Sequence, residues 1–251
     1  TEIYTLSLHD ALPIFKFVFK RIARTSEHII AVSETTKREY QDFTRIADDK
    51  ITVIYESGEV HKGELQPYGE LPFREFIMYV GQQPDFKNLR RLAAAHQQLL
   101  DKHPDLGLVF VGRMNRDTQL NKDFYEKQGY RNIHFTGFLP DSQRDWLFTQ
   151  AAAYVFPSLM EGFGLPPLEA MAYGTPVVSS SASCMPEILG DAAEYFDPLD
   201  VNDMAAAIER VISDPEKRRA LTAKGSAQVA KYSWKRMAEE TLQIYRDALK
   251  S

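Results

Sequence analysis

Two glutamates, Glu161 and Glu169, stand with seven residues between them, and those residues read Gly-Phe-Gly-Leu-Pro-Pro-Leu. Gly162 and Gly164 let a backbone turn tightly and come close to a ligand. Pro166 and Pro167 suit the first turn of a helix, where an absent N–H is not missed. A helix beginning there offers unpaired N–H groups and a partial positive charge to whatever lies over the loop, and a diphosphate fits that description. Carboxylates beside phosphate repel it unless they accept hydroxyl hydrogens. Glu161 before the glycines and Glu169 in the first helical turn therefore suggest a ligand with both phosphate and vicinal hydroxyls, a nucleotide-sugar. The competing reading is an ordinary strand-turn-helix with a solvated glutamate pair.

The elements around this loop position it. Residues 152–156 form an apolar strand, Leu168, Met171 and Ala172 give the following helix its apolar face, and Gly174 stops it. Further strands are expected at 76–80, 106–111, 132–136 and 176–180. Helices are expected from about 88 to 102, at 142–150, at 201–212 behind a cap region at Asn202, at 215–231 and at 235–249. Strands alternating with helices predict a parallel, doubly wound sheet. Ligands of such sheets sit at the carboxyl ends of the strands, and Lys87, Arg113, Phe138 and Glu161 all follow strands at that edge. Nearer the start, 15–25 is a basic and aromatic amphipathic helix, 28–32 a strand, Ser33 the cap of a helix to about Phe43, and 50–55 another strand.

Composition excludes several classes. The 251 residues suffice for one large or two modest domains, and 44% hydrophobic with 26% charged residues marks a folded, globular chain. A formal net charge of −5 gives no global attraction to nucleic acid, so no nucleic-acid partner is expected and any anion site is local. The single Cys184 rules out an internal disulfide and fits a cytoplasmic location. No apolar run approaches the roughly 20 residues of a membrane span. For 15–25, a membrane-surface role at the inner face stands beside packing on a sheet with solvated charges, the reading favoured here. No Asp-x-Asp occurs and no His, Cys and carboxylate set clusters, so neither a metal nor another cofactor is expected. His96 and His103 are expected at the surface. Residues 1–14 have no clear period and resemble translated sequencing-adapter read-through; they are expected to be a non-native leader, with a genuine helix or loop end as the alternative.

Preceded by FPS, the run EGFGLPPLEAMAYGTPVV resembles the signature of retaining nucleotide-sugar glycosyltransferases of the GT-B fold (glycosyl transferases group 1, family 4), with a lean towards mannose donors. The resemblance implies an α/β, Rossmann-like C-terminal domain at 75–232 that binds the donor. It also implies a truncated N-terminal acceptor domain whose remnant is 15–57, a linker at 58–74, and a helix at 233–251 crossing back. Where the family has Asn-Gly after the last N-terminal strand, residues 56–60 read Glu-Ser-Gly-Glu-Val.

The resemblance assigns the donor diphosphate to Gly81, Lys87 and the Leu165 amide. The family's arginine after Gly81 is missing, with Gln82 or Gln83 in its place. It assigns sugar hydroxyls to Glu161 with Gly162, Phe163 and Gly164, the ribose to Glu169, and the base to backbone groups at Phe138 and Leu139, with Arg113 either nearby or solvated. Glu187 would order the loop before it. Glu161 and Lys87 are the expected catalytic pair, in a hexose transfer to a glycan or lipid-linked acceptor during cell-surface polysaccharide or glycolipid synthesis. A donor-binding fragment without turnover, or a nucleotide-sugar epimerase of the same fold, are the alternatives. A nicotinamide dehydrogenase is disfavoured, because no Gly-x-Gly-x-x-Gly follows an early strand.

Overall fold

The structure, a computed structural model, describes residues 8–58, 63–69 and 71–250, with side chains from Phe15 onward. Residues 1–7 of the expected leader, and Glu59 and Val60 of the expected hinge, lie outside the described residues. The chain forms two compact units, one of residues up to Tyr55 together with those from Lys235, the other running from Glu56 to Trp234.

In the smaller unit, α1 (Leu8–Thr25) is followed by β1 (Ile29–Ala31), α2 (Glu34–Thr44) and β2 (Ile51–Val53). The two strands pair in parallel, with Ile29 opposite Ile51. Ser33 caps α2 by accepting the Thr36 N–H, as its residue type predicts. The helix α1 begins at Leu8, so residues 8–14 of the expected leader form one continuous helix with 15–25. It packs on α2 through Phe19, edge-on to Tyr40 and Phe43, while Phe15, Phe17 and Val18 stay exposed.

The larger unit is built on β3 (Phe76–Val80), α3 (Leu89–Leu99), β4 (Gly107–Val111), α4 (Arg116–Lys127), β5 (Ile133–Gly137), α5 (Asp141–Gln150), β6 (Ala153–Phe156), α6 (Leu165–Ala172), β7 (Val177–Ser180), α7 (Met185–Leu189), β8 (Ala193–Phe196), α8 (Val201–Ile212) and α9 (Pro215–Val229). A last helix, α10 (Trp234–Ala248), comes after it. Among the described residues the sheet runs β5-β4-β3-β6-β7-β8 with every pair parallel. This is the doubly wound sheet expected from the sequence. β4 and β6 are buried throughout and α3 packs on α8, α6 on α9. Burial on both faces is why these strands read as unbroken apolar runs instead of alternating.

Several details differ from the sequence reading. The helix α4 is not evident in the sequence, because its inward positions are Thr118, Asn121 and Tyr125 rather than an aliphatic stripe. The cap of α8 is Asp200, which accepts the Asn202 and Asp203 N–H groups, so Asn202 lies within the helix. His96 is fully buried, not at the surface. Its Nε2 donates to the Leu106 carbonyl at 3.0 Å, and its Nδ1 accepts from Gln97 at 3.0 Å. Neutral imidazole satisfies both contacts, and burial drops its pKa to about 4. The stretch before β3, expected as a connection, packs on the larger unit. The Gln66 N–H donates to the Ser142 carbonyl, and the Tyr68 hydroxyl lies 3.1 Å from His134 Nε2.

Candidate functional site

The strand order changes direction between β3 and β6. From β3 the chain winds outward through β4 and β5, then returns to β6 and winds the other way. Loops leaving β3 and β6 must diverge there, which opens a crevice at the strands' carboxyl ends. Lys87 comes from the first loop and Glu161 from the second. Lys87 Nζ donates to Glu161 Oε1 at 2.5 Å, with side chains 19% and 14% exposed. The Phe86 and Phe156 rings lie 5.3 and 5.4 Å from the ammonium.

The Lys87 loop is held from below. At Gly81 (φ +139) a Cβ would lie 3.0 Å from the Tyr79 hydroxyl, which donates to the Gln82 carbonyl at 2.9 Å. Burial, with the Glu161 charge adding to it, keeps that phenol protonated far above the usual tyrosine range. A 3-10 turn, Asp85–Lys87, leads to Asn88 in the left-handed region at φ 61. Asn88 is buried, and its Nδ2 donates to Pro157 at 3.0 Å and Pro198 at 2.7 Å while its Oδ1 accepts from Arg91. Leu159 N–H adds a bond to the Phe86 carbonyl. The two loops are thus joined on either side of Lys87.

Glu161 is fixed by the segment after β7. Its N–H donates to Ser183 Oγ at 3.2 Å and its carbonyl accepts from the same hydroxyl at 2.8 Å. The Cys184 thiol also reaches that carbonyl, at 3.3 Å. Burial pushes the thiol pKa up to about 12, so it remains an S–H donor. Gly164 needs its type, with φ +100 and a Cβ position 2.6 Å from the Met185 methyl, while Gly162 is exposed. Phe163 is buried edge-on to Tyr232, which leaves its backbone as the part nearest the loop's function.

At the start of α6, Leu165 is followed by Pro166 and Pro167. Two of the four free N–H groups of an ordinary helix start are therefore absent, and the Leu165 amide is the donor next to Gly164. Glu169 is the fifth residue of α6, in its second turn and not its first as the sequence suggests. It is half-buried, and its pKa is raised by burial, with Arg144 opposing and Asp145 and Asp141 adding to the rise. Arg144 contacts Asp141 at 2.9 Å and the fully buried Asp145 at 2.6 Å, and the Tyr173 hydroxyl donates to Asp145 at 2.6 Å.

Arg113 and Phe138 meet beyond β4 and β5, with the guanidinium 5.1 Å from the ring. Phe138 is 67% exposed, and Leu139 beside it is half-buried. Of the two glutamines after Gly81, Gln83 turns inward and accepts from Asn121 at 3.3 Å. Gln82 alone is exposed at the crevice.

Residues 66–228, more than half of the chain, match the model of glycosyl transferases group 1. The chain belongs to that family. It is 35% identical over 185 residues to the O-antigen chain mannosyltransferase B of Escherichia coli, covering 72% of this chain and 48% of that protein. It is 29% identical over 276 residues to the serotype-specific mannosyltransferase WbdA of the same organism, covering 97% of this chain and 33% of that one. The chain thus spans about half, or less, of the length of these relatives. In fold it matches sucrose-phosphate synthase from Thermosynechococcus elongatus, with TM-score 0.79, 24% identity and coverage of 95% and 62%. Anabaena HepE in complex with UDP and glucose gives TM-score 0.78 at 17% identity, with coverage of 95% and 68%. The sheet is that of a GT-B glycosyltransferase.

The structure brings Lys87 and Glu161 into contact and gathers Arg113 with Phe138 further along the same sheet edge. It keeps Gln83 away. Sequence reasoning gave no positioning role to Asn88, Ser183 and Cys184, which hold the loops of Lys87 and Glu161. The one local signal was the small-residue run Ser181-Ala182-Ser183-Cys184, whose size lets it pack against the Glu161 backbone.

Proposed function

We propose that this chain binds a nucleoside diphosphate sugar at the Lys87–Glu161 crevice, as part of a retaining transferase that moves a hexose, mannose favoured, to an acceptor hydroxyl. The observation that carries the reading is the largely buried ammonium-carboxylate pair at the switch point of the sheet, next to the Gly164–Leu165 start of α6. The barrier to such a transfer is separation of positive charge on the sugar ring from negative charge on the departing diphosphate. Lys87 and the Leu165 amide would stabilise the second, in a site already shaped for it. Glu161 and the backbone of Gly162, Phe163 and Gly164 would hold the sugar hydroxyls, and Glu169 the ribose. Gln82 would contribute a hydrogen bond without charge, and Arg113, Phe138 and Leu139 would face the base.

The mannose preference follows the two E. coli mannosyltransferases, one of them of the O-antigen chain. We further propose a metal-independent reaction, a glycan or lipid-linked acceptor, and a place at the inner face of the cytoplasmic membrane. The last of these would use the exposed aromatics and basic residues of α1. Among the described residues no helix is long and apolar enough to cross a membrane. Because the chain matches only part of each relative, donor binding without turnover is the second reading for these residues alone.

Thermal stabilisation by GDP-mannose, UDP-glucose and UDP-N-acetylglucosamine tests the proposal, since a ligand that binds only folded protein raises its melting temperature. Stabilisation lost in Lys87→Met supports the site. No stabilisation by any of these donors, or stabilisation indifferent to Lys87, overturns it. A product of inverted anomeric configuration, read by NMR, would overturn retention.

A further inference from the structure

Given the donor site proposed above, on which it rests, we infer that Glu161 also discriminates between the donor and the spent nucleotide, by competing with free phosphate for the Lys87 ammonium. The ammonium donates to Glu161 at 2.5 Å, and both side chains are largely shielded, so their attraction is weakly screened by salt. Beyond that carboxylate, Nζ faces the aromatic rings of Phe86 and Phe156. The backbone of Glu161 is anchored at this place. Ser183 takes its N–H and gives a hydrogen to its carbonyl, and Cys184 contacts that carbonyl too. With its backbone held and its side chain only 14% exposed, the carboxylate lies within reach of any phosphate that claims the ammonium.

The two nucleotides meet that carboxylate differently. In a nucleoside diphosphate sugar the distal phosphate is esterified, and the hexose attached to it carries hydroxyls that donate to Glu161. In the free nucleoside diphosphate the distal phosphate has lost that ester, is a terminal phosphate with about −1.5 to −2 charge at pH 7, as for other singly substituted phosphates, and brings no sugar hydroxyl. It presents more negative charge to Glu161 and offers nothing in return, so the acid opposes product binding and favours release.

Calorimetric titration of GDP and UDP, and of GDP-mannose and UDP-glucose, into the full 251-residue chain tests this. Glu161→Gln keeps the shape and removes the charge. It is expected to bind the free nucleotide about tenfold more tightly than the unaltered protein, while binding the matching nucleotide-sugar no more tightly. Glu161→Ala should show the same gain for the free nucleotide, so a folding failure of one variant leaves the other to decide. The gain should vanish in the Lys87→Met, Glu161→Gln double variant. Free nucleotide bound equally or more weakly by the Glu161 variants, with the unaltered protein binding normally, overturns the inference and leaves the donor site standing. An unaltered protein that binds neither nucleotides nor nucleotide-sugars overturns both.

Discussion

Asn88 is the residue through which the fold aims Lys87, and replacing it puts that role to a quantitative test. Its Nδ2 donates to the carbonyls of Pro157 and Pro198, its Oδ1 accepts from Arg91, and its backbone sits at φ 61. Each donated bond is worth about 1 kcal/mol net, and putting alanine in the left-handed region costs about 1 kcal/mol more. Asn88→Ala should therefore lose about 3 kcal/mol of unfolding free energy, as read by urea denaturation. Asn88→Gly relieves the backbone term and should lose about 2 kcal/mol, while Asn88→Asp, which turns a carboxylate on two carbonyl oxygens, should be the least stable. With Lys87 next in the chain, Asn88→Gly should also weaken nucleotide-sugar binding about tenfold, or about 1.4 kcal/mol. An Asn88→Gly protein as stable as the original, or one binding donor unchanged, would refute the idea that these two bonds hold the lysine in place.

Three other perturbations probe the same geometry. His96 falls from an ordinary value near 6.5 to about 4 on burial, so the unfolded chain takes up a proton first as pH falls. Stability should drop by about 3 kcal/mol between pH 7 and pH 4 on this account, and His96→Gln should flatten that slope; an unchanged slope would count against it. Glu169 has the opposite sign, because its raised pKa means the folded protein binds the extra proton, so stability declines as pH rises past the ordinary glutamate range. Glu169→Gln should be more stable than the original at pH 8 and equal to it at pH 4, which thermal melts at the two pH values will show. Ser183→Ala removes the hydroxyl that brackets the Glu161 backbone and should cost about 1 kcal/mol of stability together with weaker donor binding in the same titrations. Loss of stability with donor affinity intact would limit Ser183 to a packing role.

What was legible in the sequence obeys a physical division. The sheet declared itself because β4 and β6 are buried on both faces and leave continuous apolar runs. The loop around Glu161 did so because a left-handed N-cap at Gly164 and a proline-led helix need particular residue types at particular places. The helix α4 was hidden because Thr118, Asn121 and Tyr125 fill its inward face, with Tyr125 stacked on Phe110 and Phe135. His96 was misplaced for a related reason. A histidine within a mixed helix looks solvated until the Leu106 carbonyl and the Gln97 amide are brought to it by the next strand and the helix itself.

The candidate site divides along the same line. Residues that would touch a ligand are legible, because phosphate and hydroxyl recognition calls for an ammonium, open amides and carboxylates. Those that place them are not. Asn88 reaches its two carbonyls across 69 and 110 residues of chain, and Ser183 reaches Glu161 across 22. Nothing in a local window separates such an Asn or Ser from one in a solvated turn. Their partners exist only once β3, β6 and β7 lie side by side. The Lys87–Glu161 contact, spanning 74 residues, is itself a product of that strand order. A substitution that shifted β6 relative to β3 would therefore disable the crevice with every recognisable side chain still in the sequence.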